Sequence, residues 1–491
     1  MRLRILAVLA LALPAALLAA PPPAGGADAD APYHQKVTWA GCSGLPGGAL
    51  TSTQCATLTV PKDYARPEAG KLDLAVSRIK ASGPGPRLGS LLVNFGGPGV
   101  PGIAELAQLT AAGELAWLNT RYDLVGFDPR GVGRSTPVDC GDLTDVTATG
   151  VVAQARQVAR DCQAHSADLL PYVGTANAAH DLDVIRAALG DDRLAYLGFS
   201  YGARLGSVYA HEFPEHTGRM VLDGVPDPTL DDVDTALGQA AAFQHSLADF
   251  AADCASRGCP VPGGTGPEVM AGIEAVGRGL DGGGVATVTG QLDHDGFLQG
   301  LQNALYSTDA WPQLREALGA LRGGDGEPMM QLAYPGQLGE LVPGVLRAPG
   351  WSTPDNYEMA KLAIDCRDQP ERRTEAGVHR LDRRFTAASP VFGAEIEATL
   401  LACTGWPPGD GAPRRVAAPT APQALLVSTT ADPATPYPGA AHMAAAMRNS
   451  SVVLTRHGDG HGGYFAHSPC VTSAVDAYLI NGELPAPTTR C

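Results

Sequence analysis

The chain has little charge and few aromatic rings: 18% of its residues are charged and 6% aromatic, against 45% hydrophobic. So much apolar content excludes a solvated, disordered chain and leaves enough to close a core. Positive charge is the scarcer sign. With 35 Lys and Arg against 51 Asp and Glu, the formal charge of −16 offers no basic face, and no nucleic-acid partner is expected. CxxC pairs and His-rich clusters are absent, which argues against a metal site, so neither metal nor organic cofactor is expected. Beyond the N-terminal segment no apolar run is long enough to cross a bilayer. No stable membrane association is expected of the mature chain, and a monomer is the working expectation.

What is present begins with "MRLRILAVLALALPAALLAAPPPAGGADADAP". Arg2 and Arg4, an apolar stretch broken by Pro14 and a small-residue segment predict a secretory signal peptide over residues 1–29, cleaved near Ala27 or Ala29. The mature protein is then extracellular. Its 10 cysteines form an even set, and an oxidising compartment favours disulfides. Sequential pairing is expected: Cys42 with Cys55, Cys140 with Cys162, Cys254 with Cys259, Cys366 with Cys403, and Cys470 with Cys491.

"QCATLTVPKDY" and "KLDLAVSRIKAS" alternate like half-buried strands and predict an antiparallel start to a sheet. Continuous apolar runs follow, each ending in a glycine-rich turn: "GSLLVNFGGPG", "YDLVGFDPRGVG", "RLAYLGFSYG" and "GRMVLDGVPDP". Between them lie helical stretches such as "GTANAAHDLDVIRAALG", with Thr175 as the expected N-cap and Gly190 as the stop. This order predicts an α/β fold with a mostly parallel central sheet. Residues 30–228 form the first part of its core. Residues 229–413 lose the strand rhythm and read as an inserted, mainly helical cap. Strands resume over residues 414–491, which complete the core.

Gly198-Phe199-Ser200-Tyr201-Gly202 fits G-x-S-x-G between an apolar strand and a helix-compatible run, the context of a strained nucleophile elbow. A nucleophilic serine needs a base and an orienting acid, in chain order Ser, Asp/Glu, His for this architecture. Asp432 follows "ALLVSTT" and His461 follows "SVVLTRHGDG", so both fall at the rim where open α/β sheets build their sites. Asp223 is a rival acid, and His457 and His467 are rival bases. An oxyanion would need two N–H donors. Tyr201 supplies one, and Gly97, in the "NFGGPG" loop, the other; that loop has neither dinucleotide spacing nor a P-loop lysine. Asp128 and Arg130, in "DPRGVGRS", read as supports of a loop beneath the site.

In order, "NFGGPGVPG", "YDLVGFDPRGVGRSTP", "YLGFSYGARLGSVYA", "VLDGVPDP", "AIDCRD", "CTGWP", "STTADPATPY" and "GDGHGGY" resemble the secreted tripeptidyl aminopeptidase-like α/β-hydrolases, relatives of the proline iminopeptidases. The resemblance runs over nearly the whole mature chain. It implies an α/β-hydrolase fold, a Ser200–Asp432–His461 triad, and a serine exopeptidase that releases short peptides from peptide substrates with free N-termini. Phe95 departs from the family's N-P-G-G-P-G-G-S-G loop at its first proline, and Val100-Pro101 replace its Gly-Ser. The resemblance also makes the inserted block a lid that selects chain ends. A buried substrate ammonium needs an anion, and Glu358, Asp365 and Asp368 are the candidates; pairing with Arg367 and Arg372, or simple solvation, would equally explain them. A carboxylesterase or lipase using the same triad is the alternative reading.

Overall fold

The computed structural model of the protein describes residues 31–42, 52–142, 146, 148–288, 290–334 and 356–491; the leader expected over residues 1–29 lies outside them. The main sheet contains β1 (Ala40–Gly41), β2 (Thr53–Pro61), β3 (Lys71–Ile79), β4 (Gly89–Asn94), β5 (Tyr122–Phe127), β6 (Leu194–Phe199) and β7 (Thr217–Asp223). A separate hairpin of β8 (Val285–Ala286) and β9 (Gln291–Leu292) interrupts it before β10 (Leu425–Ala431) and β11 (Val452–Asp459). The order across the sheet is β1-β2-β3-β5-β4-β6-β7-β10-β11. The alternating strands β2 and β3 pair antiparallel, and β3 meets β5 antiparallel. From β5 to β11 every pairing is parallel. Every residue of β5 is buried, which is why its run has no polar alternation: helices cover both faces.

β7 ends at Asp223 and β10 starts at Leu425, yet the two strands pair directly, Leu426 opposite Leu222 and Val427 opposite Asp223. The chain between them leaves the sheet at one seam and returns to it. Local capping starts its helices. Asp231 accepts the Asp234 N–H at 2.9 Å before the helix Asp232–Ser256, and Thr265 and Glu268 form a capping box before Gly266–Arg278. These helices close over a second apolar cluster that includes Phe243, Phe250, Phe297, Phe385 and Phe392.

One helix of the block belongs elsewhere. In Tyr357–Asp368, residues Ala360, Ala363, Ile364 and Cys366 join the cluster of the main sheet, together with Cys403 and Trp406. Asn356, just before it, is buried, donates to the carbonyls of Gly131 and Val138 at 2.9 Å each, and accepts the Gly133 N–H at 3.0 Å. An amphipathic pattern states that one face is buried, not which layer buries it.

Thr175 also departs from expectation. The helix Thr175–Leu189 is capped by Gly174 without a side-chain bond, and Gly190 ends it in the left-handed region at φ 79°. Thr175 lies inside the first turn because its hydroxyl is engaged by Asp368 and Tyr201. All five disulfides join the cysteines in sequential pairs.

Beneath the sheet edge, Arg130 is 1% exposed and forms a two-pronged ion pair with Asp181, Nε to Oδ2 at 2.7 Å and Nη2 to Oδ1 at 2.5 Å. Its remaining donors meet the carbonyls of Pro61, Lys62 and Tyr172. Asp128 accepts the N–H groups of Ile103 and Arg134. Both residues therefore brace loops, the role read for them from sequence. Asp181→Ala strands a buried guanidinium and should lower unfolding stability by about 3–5 kcal/mol. Denaturant titration measures this; a loss below ~1 kcal/mol, the range of a surface pair, would contradict the role assigned to the pair.

Candidate active site

Ser200 sits between β6 and the helix Tyr201–Glu212, with φ 56° and ψ −118°. That is strained backbone for a residue with a Cβ, and such strain persists only where its surroundings impose it. The flanking glycines show what imposes it. A Cβ on Gly198 would lie 2.5 Å from the Gly202 carbonyl oxygen, and one on Gly202 would lie 2.5 Å from the Asn94 carbonyl oxygen. Strand, turn and helix cross too closely for a methyl group. The Ser200 N–H donates to the Asp223 carbonyl at 2.8 Å, which fixes the turn to β7.

Asp432 follows β10 and is 2% exposed. Its carboxylate accepts the N–H groups of Ala434, Thr435 and Gly462 at 2.9, 2.8 and 3.0 Å and the Thr435 hydroxyl at 3.0 Å. His461 Nδ1 lies 2.9 and 3.0 Å from its two oxygens. Burial alone would raise the Asp432 pKa, but the neighbouring imidazole and these hydrogen bonds hold it below the ordinary value. For His461, burial opposes protonation, yet the charge and hydrogen bond of Asp432, with Asp223 behind them, raise its pKa above that of a free histidine. With Nδ1 taken by the carboxylate, Nε2 is the nitrogen left to receive a proton.

The rivals take other places. Asp223 is fully buried, and its carboxylate accepts the N–H groups of Gly463 and Tyr464 at 2.7–3.0 Å, so it holds the loop that carries His461. Burial pushes its carboxyl up to about 6, against the pull of those N–H groups. His457 is exposed on β11, and exposed His467 pairs loosely with Asp309 at 3.5 Å.

The His461 ring lies over the end of β7: a Cβ on Gly224 would approach its Cε1 to 2.9 Å. Ser200 hangs from the preceding residue, Asp223. Ser200 and the imidazole thus converge on one strand end. Among the described residues Ser200 Oγ forms no hydrogen bond, as in many serine sites before substrate closes them.

The glycine-rich loop after β4 lies on the elbow. A Cβ on Gly96 would lie 2.5 Å from the Phe199 carbonyl oxygen and 3.0 Å from Ser200 Cβ. Gly96 N–H is taken by Asn94 Oδ1 at 3.1 Å, and a Cβ on Gly96 would lie 3.2 Å from the Tyr201 nitrogen that opens the helix. Phe95 stacks on Phe199, with centroids 6.1 Å apart and planes 3° apart. On the loop's outer side a Cβ at Gly97 would touch the Tyr357 ring at 3.3 Å.

All three carboxylates considered for a substrate amine interact within the protein. Asp368 is buried and accepts the N–H of Thr175 at 2.8 Å and its hydroxyl at 2.5 Å; the same hydroxyl meets Tyr201 OH at 2.8 Å. Through that hydroxyl the helices Tyr357–Asp368, Thr175–Leu189 and Tyr201–Glu212 are linked. Asp365 pairs with Lys361 at 2.7 Å, one helical turn away, and neither Arg367 nor Arg372 is its partner. Glu358 is exposed near the start of the same helix.

Residues 389–491 match the family described as TAP-like protein, and residues 96–260 match the α/β hydrolase fold. The chain is 36% identical to serine protease Hip1 of Mycobacterium tuberculosis, over 93% of its own length and 91% of that protein. It is 33% identical to a tripeptidyl aminopeptidase of Streptomyces coelicolor, over 89% and 83% of the two chains. Carboxylesterase B of Mycobacterium tuberculosis is also 33% identical, over 96% and 95%. Identity at this level along almost the entire chain, on a parallel sheet with a serine elbow and an inserted helical block, places the protein in the TAP-like α/β-hydrolase family.

Proposed function

We propose that this chain is a secreted serine exopeptidase that releases short peptides, tripeptides in particular, from free N-termini. The observation that carries this reading is the pairing of buried Asp432 with His461 near the strained Ser200, in a chain related along its length to a serine protease and a tripeptidyl aminopeptidase. Neutral His461 takes the Ser200 proton through Nε2 as the hydroxyl oxygen attacks the scissile carbonyl. The N–H groups of Gly97 and Tyr201 receive the oxyanion, and the imidazolium then protonates the leaving amine. Water, activated by the same nitrogen, hydrolyses the acyl-enzyme. Five disulfides suit an oxidising compartment and so support export through the N-terminal leader. Glu358 is the exposed one of the three carboxylates weighed for the substrate ammonium. The likeness to carboxylesterase B keeps ester hydrolysis by the same triad as the second reading.

Ser200→Ala should lower kcat by about 10⁶, the loss seen when a triad acts as a unit; turnover near the wild-type rate would refute the mechanism. The rate should rise with pH as His461 loses its proton, because the neutral ring is the base. Since Asp432 raises that pKa, the midpoint should lie above the ~6.5 of an unperturbed histidine. Asp432→Asn should move the midpoint down and cost about 10⁴ in kcat, whereas a wild-type limb centred below the ordinary value would contradict the pairing. Mass spectrometry of products from free and N-acetylated peptides, with a short-chain ester as control, tests the substrate. Tripeptides from free N-termini alone are expected; equal cleavage of acetylated peptides would overturn amine recognition, and hydrolysis of the ester alone would favour the second reading.

A further inference from the structure

The loop carrying His461 is held from the sheet side by Asp432 and Asp223, and from the other side by the cap. Tyr306 follows the cap helix His294–Leu305, and its carbonyl accepts the backbone N–H of His461 at 2.8 Å. Its ring meets the imidazole edge to face, with centroids 5.2 Å apart and planes at 86°. Gly460, at φ 100°, lets the two backbones approach; a Cβ there would lie 3.0 Å from the Tyr306 carbonyl oxygen. Behind it, Tyr306 packs on Phe243 at 5.9 Å, and Phe243 packs on Phe392 at 5.7 Å. Both phenylalanines belong to the cap's own apolar cluster. A continuous line of rings thus runs from the centre of the cap to the imidazole.

We propose that Tyr306 is a positioning residue for His461, so that the cap is part of the mount of the base as well as a cover over the cleft. The inference rests on the reading of His461 as the general base. The carbonyl of Tyr306 fixes where the loop turns, and its ring limits how the imidazole can tilt about the Nδ1–Asp432 bond. With the ring gone, Nε2 can swing away from Ser200 while the Asp432 bond persists. Substrate that shifts the cap would shift the base with it.

The test compares Tyr306→Ala, Tyr306→Leu and Tyr306→Phe in the full chain. Two quantities are read: kcat and KM on a tripeptidyl substrate, and the rate at which a small fluorophosphonate labels Ser200. The label needs the Ser200–His461 pair but no peptide subsite. Tyr306→Ala should lower kcat by about 10- to 100-fold, the scale of a displacement near 1 Å, and slow labelling by the same factor. Tyr306→Phe should restore both. Tyr306→Leu fills most of the space without a ring and should behave like alanine, so it stands in if the alanine variant does not fold. Wild-type labelling rates in Tyr306→Ala or Tyr306→Leu, or a change confined to KM, would overturn the inference and make Tyr306 a wall of the substrate cleft. Absence of labelling at Ser200 in the unmutated chain would instead remove the serine-hydrolase reading itself.

Discussion

The carbonyl of Asp223 accepts the N–H of Ser200 while its carboxylate accepts those of Gly463 and Tyr464, so one residue at the end of β7 joins the Ser200 turn to the His461 loop. These donors lie in a buried setting where each unpaired group costs about 1–3 kcal/mol. The Ser200 turn, strained on its own, is therefore over-determined by its neighbours, as stored backbone strain requires. Asp432 repeats the arrangement one strand further along, with three N–H groups and a hydroxyl around a carboxylate that also takes the imidazole. Dipoles already aimed at their charges need no reorganisation when a proton moves.

The parallel sheet brings these groups together. β6, β7, β10 and β11 run side by side, so the ends of four strands meet at one rim although more than two hundred residues separate Ser200 from Asp432. The insertion between β7 and β10 leaves at that same rim. A helical block that starts there passes close to His461, and the Tyr306 contacts are the physical form of that proximity.

Much of this was legible in the sequence because it is written locally. The elbow is a five-residue pattern with strand and helix on either side. Asp432 and His461 each follow an apolar run, and the sequential cysteine pairs follow chain order. The carboxylates on Tyr357–Asp368 were harder. Lys361 and Asp365 stand four apart on one helix, the spacing of an ion pair, and that signal could have withdrawn Asp365 from consideration as an amine anchor. Asp368 and Thr175 are 193 residues apart, and Tyr306 and His461 lie on different layers; no local pattern encodes either contact. In sequence Asp223 reads only as a rival acid, because sequence presents its carboxyl but hides which backbone groups surround it. Phe95, read as a departure at the glycine loop, is explained once Phe199 lies beneath it.

The helix Tyr357–Asp368 lies within the inserted block by chain order and within the hydrolase core by packing. Its Tyr357 and Lys361 back the glycine loop, where a Cβ on Gly99 would meet the Tyr357 carbonyl oxygen at 2.9 Å and the Lys361 nitrogen at 3.1 Å. Insertion and removable module are therefore different things in this molecule. Exchanging the whole stretch between β7 and β10 with that of a relative would replace the wall behind Gly97 along with the second apolar cluster. A chimera that preserves catalysis would need two separate grafts, one from the start of the helix Asp232–Ser256 to residue 334 and one over residues 375–401, with this helix left in its original chain. The insertion is thus two separately packed stretches on either side of a helix that belongs to the core.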